Sequence, residues 1–228
     1  MRFDPPLVPA TLLRRYKRFL ADVQFSDGAQ ATAHVANSGK MLGLDQPGSQ
    51  VWLAPGTGKL KWSLKFVETA EGWAGVDTMA PNKLMAEALK ARALPEFAAW
   101  ESARAEVNYG AASRVDFLLT RKGGARLWLE VKNVHLRRTP RLAEFPDCIA
   151  ARSARHMREL AAMVAEGDEA CAFFVVQLSD VDRFTPAADL DPGFARAYSE
   201  ARAAGVDVVA YACAMDPHEV RLSHRIAV

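Results

Sequence analysis

Cysteine is scarce in this chain. Cys148, Cys171 and Cys213 are the three it has; they are odd in number, far apart, and two of them lie in apolar runs. That pattern offers neither a disulfide framework nor a zinc-ligand spacing, and it fits a reducing cytoplasm. Long apolar runs are missing as well. The greasiest stretches, residues 170–178 and 206–214, are too short to span a bilayer, and the N-terminus carries no apolar signal core. The expectation is a cytoplasmic protein with no membrane partner. A strong charge of one sign is also absent, since the formal net charge is only +2.

What is present is an ordinary globular composition, 50% hydrophobic and 25% charged over 228 residues, long enough for one large domain or two small ones. The charge is unevenly spread. Arg14, Arg15, Lys17 and Arg18 crowd together, and residues 121–158 hold ten Lys/Arg against three Asp/Glu. Such clusters make a local anion-attracting field that the total conceals.

Residues 1–80 read as short strands, at 12–25, 30–35, 50–53, 60–69 and 73–76, separated by Asp27-Gly28, Ser38-Gly39, Pro47-Gly48 and Pro55-Gly56. Strands and turns at that spacing suggest a small all-β barrel, with the oligonucleotide-binding (OB) type one candidate. In the RRYKRF run, Arg14, Arg15, Lys17 and Arg18 are interleaved with Tyr16 and Phe19, a mixture that contacts phosphates and stacks on bases. The competing reading is an edge strand protected by charge. His34, Asn37, Ser38, Gly39 and Lys40 form a polar turn ahead of Met41, whose backbone N–H groups are a second candidate for holding phosphate.

A boundary falls near residue 80, where Pro81-Asn82 opens a helix with Asn82 as its expected cap and Leu84, Met85, Ala88 and Leu89 as its apolar stripe. Glu87 lies about 60° round from Leu84 at about 100° per residue; it is either solvated or reaches from the helix to a site on the sheet. Residues 104–109 read as a strand, and Arg137, Arg138 and Arg141 as a basic connector. Asp147 is the expected N-cap of a helix over 148–164, with Ala154, Met157, Leu160, Ala161 and Val164 facing the core. Arg152 and Arg155 on that helix add cations for nucleic acid, and His156 among them reads as surface or structural. Residues 171–178 form a strand covered on both faces. A helix at 193–204 and a second buried run at 206–214 complete a right-handed crossover with a parallel pair, before a short final strand at 219–222.

The chemistry concentrates in residues 113–134, SRVDFLLTRKGGARLWLEVKNV. Two apolar-rich runs flank the Lys122-Gly123-Gly124 break and read as an antiparallel hairpin, and each run carries charge where a core strand is normally greasy. Strand side chains alternate faces, so Glu130 and Lys132 share one. A three-residue loop of Lys122, Gly123 and Gly124 sets Asp116 opposite Glu130, whereas a two-residue turn sets it opposite Val131; the odd loop is the expectation. Two carboxylates on one face would hold Mg²⁺ or Mn²⁺, and a lysine two residues on would steady a water or a developing phosphate charge. A phosphodiester hydrolase needs that arrangement. The alternative for a strand E-x-K is a solvated edge or a plain ion pair.

The second half, residues 81–228, thus reads helix, three antiparallel strands, helix, strand, helix, strand, an α/β domain with a mixed sheet. With Asp116 on its second strand and Glu130-x-Lys132 on its third, it resembles the PD-(D/E)xK nuclease core. Across nearly the whole chain, RRYKRFLADV (14–23), TAH and N-S-G-x-M (32–41), SRVDFLL (113–119), LEVKNV (129–134), FPD (145–147), FFVVQLSDVDRF (173–184) and Asp191-Pro192 resemble the sugar fermentation stimulation protein A family. The resemblance implies an OB-like N-terminal barrel, a nuclease-like C-terminal domain, DNA binding, and a link to sugar (maltose) metabolism. It also implies acid roles for Asp116 and Glu130, the lysine role for Lys132 and a supporting acid at Glu87. The chain departs from the family pattern at Val35-Ala36, at Ser38-Gly39-Lys40 and at residues 150–153. Two functions follow: a Mg- or Mn-dependent nuclease, or a non-catalytic DNA-binding regulator with a vestigial acidic pocket. A small-molecule enzyme of carbohydrate metabolism has only the family name behind it.

Overall fold

Six short strands make the first half: β1 (Val8–Tyr16), β2 (Leu20–Gln24), β3 (Gln30–Val35), β4 (Gln50–Pro55), β5 (Trp62–Thr69) and β6 (Gly72–Gly75). They run in the order β3-β2-β1-β4-β5-β6, and a parallel pairing of β3 with β5 closes the first five into a barrel. Closure removes the exposed edges that an open sheet would present. The computed structural model describes residues 1–56, 58–109 and 113–228. Inside the barrel, Leu12, Val23, Val35, Val51, Leu53 and Leu64 are buried, alternating with outward positions as the strand pleat requires.

The stretch expected as one strand over 12–25 is two. Lys17 and Arg18 adopt φ of 49° and 63° and turn the chain back so that Tyr16 pairs with Leu20. No Gly, Asn or Asp marks this turn, which is why the sequence conceals it. The Arg15 guanidinium holds it instead, donating to the Arg18 carbonyl at 3.1 and 2.8 Å.

The second half is built on α1 (Ala80–Lys90), β7 (Ser102–Tyr109), β8 (Ser113–Thr120), β9 (Arg126–Val134), β10 (Leu136–Thr139), β11 (Leu142–Phe145), α2 (Ala151–Ala165), β12 (Glu169–Val176), β13 (Arg183–Pro186), α3 (Pro192–Ala203), β14 (Asp207–Met215) and β15 (Val220–Ile226). Its main sheet runs β15-β14-β12-β9-β8-β7, with β9, β12 and β14 parallel and both flanks antiparallel. Leu84 and Met85 of α1 cluster with Leu129, Val131 and Phe173 on one face. Met157 and Leu160 of α2 and Phe194 and Tyr198 of α3 cluster with Trp128, Phe174 and Val176 on the other. Coverage on both faces explains the near-continuous hydrophobicity of β12.

A small sheet, β10-β11-β13, replaces the expected basic connector. Arg137 pairs with Asp180 and Glu71, Arg138 with Glu144 and Asp189, and Arg141 with Asp182. Arg137 ties β10 to the barrel at Glu71, and the other pairs lie within the small sheet and the loops beside it, so these cations are paired and do not form an open anion-attracting surface. The expected caps also differ. α1 begins at Ala80 with no side-chain cap, and α2 begins after Ala150, whose N–H donates to Asp191 Oδ2 at 2.7 Å. Asp147 instead accepts from the Met41 N–H at 2.9 Å, across 106 residues of sequence. The barrel is further tied to the second half where Gly75 meets Gln177: the Gly75 N–H donates to the Gln177 carbonyl at 2.8 Å, and a Cβ on Gly75 would come within 2.5 Å of Gln177 Oε1.

Candidate active site at a split in the sheet

The hairpin register is the odd one. Phe117 pairs with Leu129 and Thr120 with Arg126, and the Arg121 N–H closes on the Ala125 carbonyl around Lys122, Gly123 and Gly124. The ladder between β8 and β9 stops at Phe117–Leu129. One residue beyond, Asp116 Oδ2 takes the Val131 N–H at 2.7 Å, so a side chain substitutes for the strand's missing backbone acceptor. The two strands part there, and the opening is a cleft of about 250 Å³ lined by Thr78, Asn82, Asp116, Glu130, Lys132, Arg152 and His156, among others.

Each charged group in this cleft is held by a named partner. Asp116 Oδ1 accepts from the Asn82 amide at 2.7 Å. Lys132 Nζ donates to Glu130 Oε1 at 2.7 Å, and His156 Nδ1 makes a short contact with the same oxygen. Arg152 Nε donates to His156 Nε2 at 3.2 Å, so that nitrogen accepts and Nδ1 carries the proton given to Glu130. Glu130, Lys132 and His156 are 3%, 8% and 2% exposed, where charge persists only when partnered. Burial pushes the Glu130 carboxyl up, but His156 and Lys132 together outweigh it and hold it below its ordinary range. Asp116 goes the other way: burial, and then the charge of Glu130, raise it despite the Val131 N–H and Asn82. Glu130 Oε2 is buried and has no partner among the described residues.

Among the described residues no group of three or more His, Cys, Asp or Glu side chains is arranged to hold a metal ion. The cleft supplies two carboxylates, one oxygen of which is left over, with Asp116 raised first by burial and then by the charge of Glu130. That donor set fits a hard divalent cation completed by water.

The residues singled out from sequence fall into three groups. Asp116, Glu130 and Lys132 line one cleft, and Arg152 lines it with them. Glu87 does not: its side chain is 57% exposed and pairs with the N-terminal ammonium of Met1 at 2.7 Å, because that helix position turns away from the cleft. Asn82, read as a cap, reaches Asp116 in its place. The RRYKRF cations divide. Arg14 pairs with Asp22 at 2.8 Å, and Tyr16 donates to Asp22 at 3.1 Å. Arg15 is committed to the carbonyls of Asn37, Gly39 and Lys40 as well as Arg18. Lys17 and Arg18 stay exposed at the turn. Arg155 is exposed and lies 3.8 Å from Glu159.

His156 was legible only as a structural or surface histidine, yet it is among the most buried groups of the cleft. The one available signal was its four-residue spacing from Arg152, which sets the two on one face of α2. Asn82 left no signal, since a polar residue in a first helical turn ordinarily reads as a cap.

The chain matches the model described as the sugar fermentation stimulation protein RE domain over residues 79–219 and that of the SfsA N-terminal OB domain over residues 13–76. A sugar fermentation stimulation protein homolog from Ruegeria pomeroyi is 49% identical over 227 residues, covering 98% of this chain and 99% of the relative. One from Rhodospirillum centenum is 48% identical over 229 residues, covering 99% and 98%. The solved structure of Pyrococcus furiosus SfsA in complex with Ca²⁺ superposes with a TM-score of 0.90 at 29% identity, covering 100% of this chain and 97% of that one. With an OB barrel followed by a mixed-sheet RE domain, and relatives near half identity end to end, this chain belongs to the sugar fermentation stimulation protein family.

Proposed function

We propose that this chain is a divalent-metal-dependent hydrolase of phosphodiester bonds in nucleic acid, with DNA the substrate that the family resemblance favours. The observation that carries the reading is the unpartnered, buried Glu130 Oε2 beside a second carboxylate, Asp116, at the point where the sheet splits. Asp116 and Glu130 would hold Mg²⁺ or Mn²⁺, which when bound polarises a phosphate oxygen and acidifies a water. The Val131 N–H and Asn82 aim Asp116, while Lys132 and His156 occupy Glu130 Oε1 and leave Oε2 without a partner among the described residues. Arg152, at the wall of the cleft, is placed to meet a phosphate. The Pyrococcus furiosus relative was solved with Ca²⁺, a cation that takes the same oxygen donors, which supports a divalent site here.

A second reading, a DNA-binding regulator of sugar metabolism without catalysis, draws support from the Lys132–Glu130–His156 cluster, which neutralises one carboxylate without any metal. Cleavage with Mn²⁺ and affinity in EDTA, measured for wild type, Asp116→Ala, Glu130→Ala and Lys132→Ala, separate the two. Loss of either acid should abolish cleavage and leave metal-free affinity equal or slightly tighter, because a charge that repels phosphate is gone. Loss of Lys132 should abolish cleavage and weaken binding modestly. Full-rate cleavage by Asp116→Ala would remove this cleft from the chemistry, and no cleavage by any form with any metal would favour the regulator.

A further inference from the structure

The acidic cleft does not end at Arg152. Thr78, Val131, Lys132, Arg152 and Ser153 also line a second cavity, of about 430 Å³, between the barrel and the start of α2. On the barrel side stand Ser38 and Gly39, in the polar turn that the sequence offers as a holder of phosphate. Its N–H groups are already used: Gly39 donates to Asn37 Oδ1 at 2.8 Å and Met41 to Asp147 Oδ2 at 2.9 Å. A Cβ on Gly39 would come within 2.7 Å of the same Asp147 oxygen, so glycine lets the turn close this tightly on the second half. Arg15 fixes the turn through the carbonyls of Asn37 and Gly39, both at 2.9 Å. The turn is a braced wall and not an anion site.

The charges of the lining are engaged in the same way. Arg138 holds Glu144 at 2.6 and 2.9 Å, and Lys132 is turned to Glu130. Asn133 Oδ1 accepts from Gln177, so its amide nitrogen donates to His135 Nδ1 at 3.1 Å, and His135 keeps its proton on Nε2 for Asp147, 3.3 Å away. What faces the cavity is a carboxylate that repels phosphate, together with neutral donors and acceptors. Arg152, on the wall shared with the cleft, is the one cation of the lining with no carboxylate partner among the described residues. Phe145 adds an apolar face. It is half-buried, its ring braced edge-on by Phe174 and Phe194 with centroids 5.9 and 4.9 Å away.

The shared wall therefore suits a phosphate, and the cavity beyond it suits a neutral, flat, hydrogen-bonding group. A nucleotide carries both, one sugar apart. The cavity is of the size that small-molecule sites have. A base inside a duplex is hidden in its stack and reaches such a pocket only by swinging out, at a cost that is least where it is unpaired. We propose that this cavity takes the base of a nucleotide swung out of its stack, with Asn133 and Ser153 at the base edge and Phe145 against its face, while the adjoining phosphate lies by Arg152 at the cleft. The seat of the phosphate rests on the hydrolase reading above; the pocket for the base does not.

Cys148 reports on the cavity directly, because it is a half-exposed residue of the lining while Cys171 and Cys213 are buried. The test is the rate at which iodoacetamide alkylates Cys148 in the full chain, with Cys148→Ser as the blank. In EDTA, at least one of the deoxynucleosides, at about twice its Kd, should slow alkylation about threefold, by the factor 1 + [L]/Kd. 2-Deoxyribose 5-phosphate, which has the sugar and the phosphate but no base, should leave the rate unchanged in EDTA and in Ca²⁺. With Ca²⁺, the 5′- or 3′-monophosphate of the protecting nucleoside should act at a concentration about tenfold lower than the nucleoside itself, because the cation and Arg152 then hold its phosphate, and Asp116→Asn should remove that gain. Protection by 2-deoxyribose 5-phosphate equal to that by the mononucleotide overturns the pocket, and so does a failure of every nucleoside to protect at about 5 mM. Nucleoside protection with no gain from the phosphate in Ca²⁺ counts against the hydrolase reading and leaves the pocket standing. DNA cleavage by wild type with Mn²⁺, without nucleoside protection, does the reverse.

Discussion

Removing Glu130 should destabilise the fold through the lysine it leaves behind. Lys132 and Glu130 side chains are 9% and 4% exposed and 2.7 Å apart, so Glu130→Ala strands an ammonium in a site that water scarcely reaches. Breaking a buried pair from one side costs about 3–5 kcal/mol, more than the pair contributes on balance. Lys132→Met should cost less, about 1–3 kcal/mol, because His156 still donates to Glu130 Oε1. The double variant removes both charges, so its loss should fall short of the sum of the singles by about 2 kcal/mol. Urea unfolding in EDTA, with an unchanged m value, measures all three. The pH dependence supplies a second check. Glu130 lies below its ordinary 4.5 in the folded state, so its contribution is present above that value and is lost as the pH falls through the lower folded value. The coupling should shrink on acidification. Additive single variants, or a coupling indifferent to acid, would refute a buried and mutually dependent pair.

Two further outcomes follow from the same geometry. Saturating Mn²⁺, at about 100 times its Kd, should stabilise wild type by about 2.7 kcal/mol, or about 5–10 °C in Tm for a chain of this size; scanning calorimetry should find the shift gone in Asp116→Ala, and an equal shift in both would place the metal elsewhere. Arg15→Ala should lose about 1–3 kcal/mol in urea unfolding, because its guanidinium joins the β1–β2 turn to the carbonyls of Asn37, Gly39 and Lys40, whereas Arg18→Ala should change stability by less than about 0.5 kcal/mol.

The chain itself carries a good deal of this. Alternation and turn residues mark the barrel strands, the continuous apolar run of β12 marks a strand buried on both sides, and the Lys122-Gly123-Gly124 break together with the parity of residues 116 and 130 sets two acids on one face. Those features are local: each depends on periodicity or on the count of residues in one loop, and both are written in consecutive letters. The partners of those groups are not. Whether an arginine is free for phosphate depends on which carboxylates come within reach, and for Arg137, Arg138 and Arg141 these are supplied from 6 to 66 residues away. The same holds for Asn82 against Asp116, across 34 residues, and for Asp147 against Met41, across 106. Sequence determined that Glu130 and Lys132 would share one face and, with the odd loop that the structure adopts, put Asp116 there with them. Only the tertiary structure decided that Glu87 would turn to the N-terminus, that Asn82 and His156 would orient the two acids, and that Arg14 and Arg15 would be taken up while Lys17 and Arg18 stay exposed, because such pairings are set by distance in space and not along the chain.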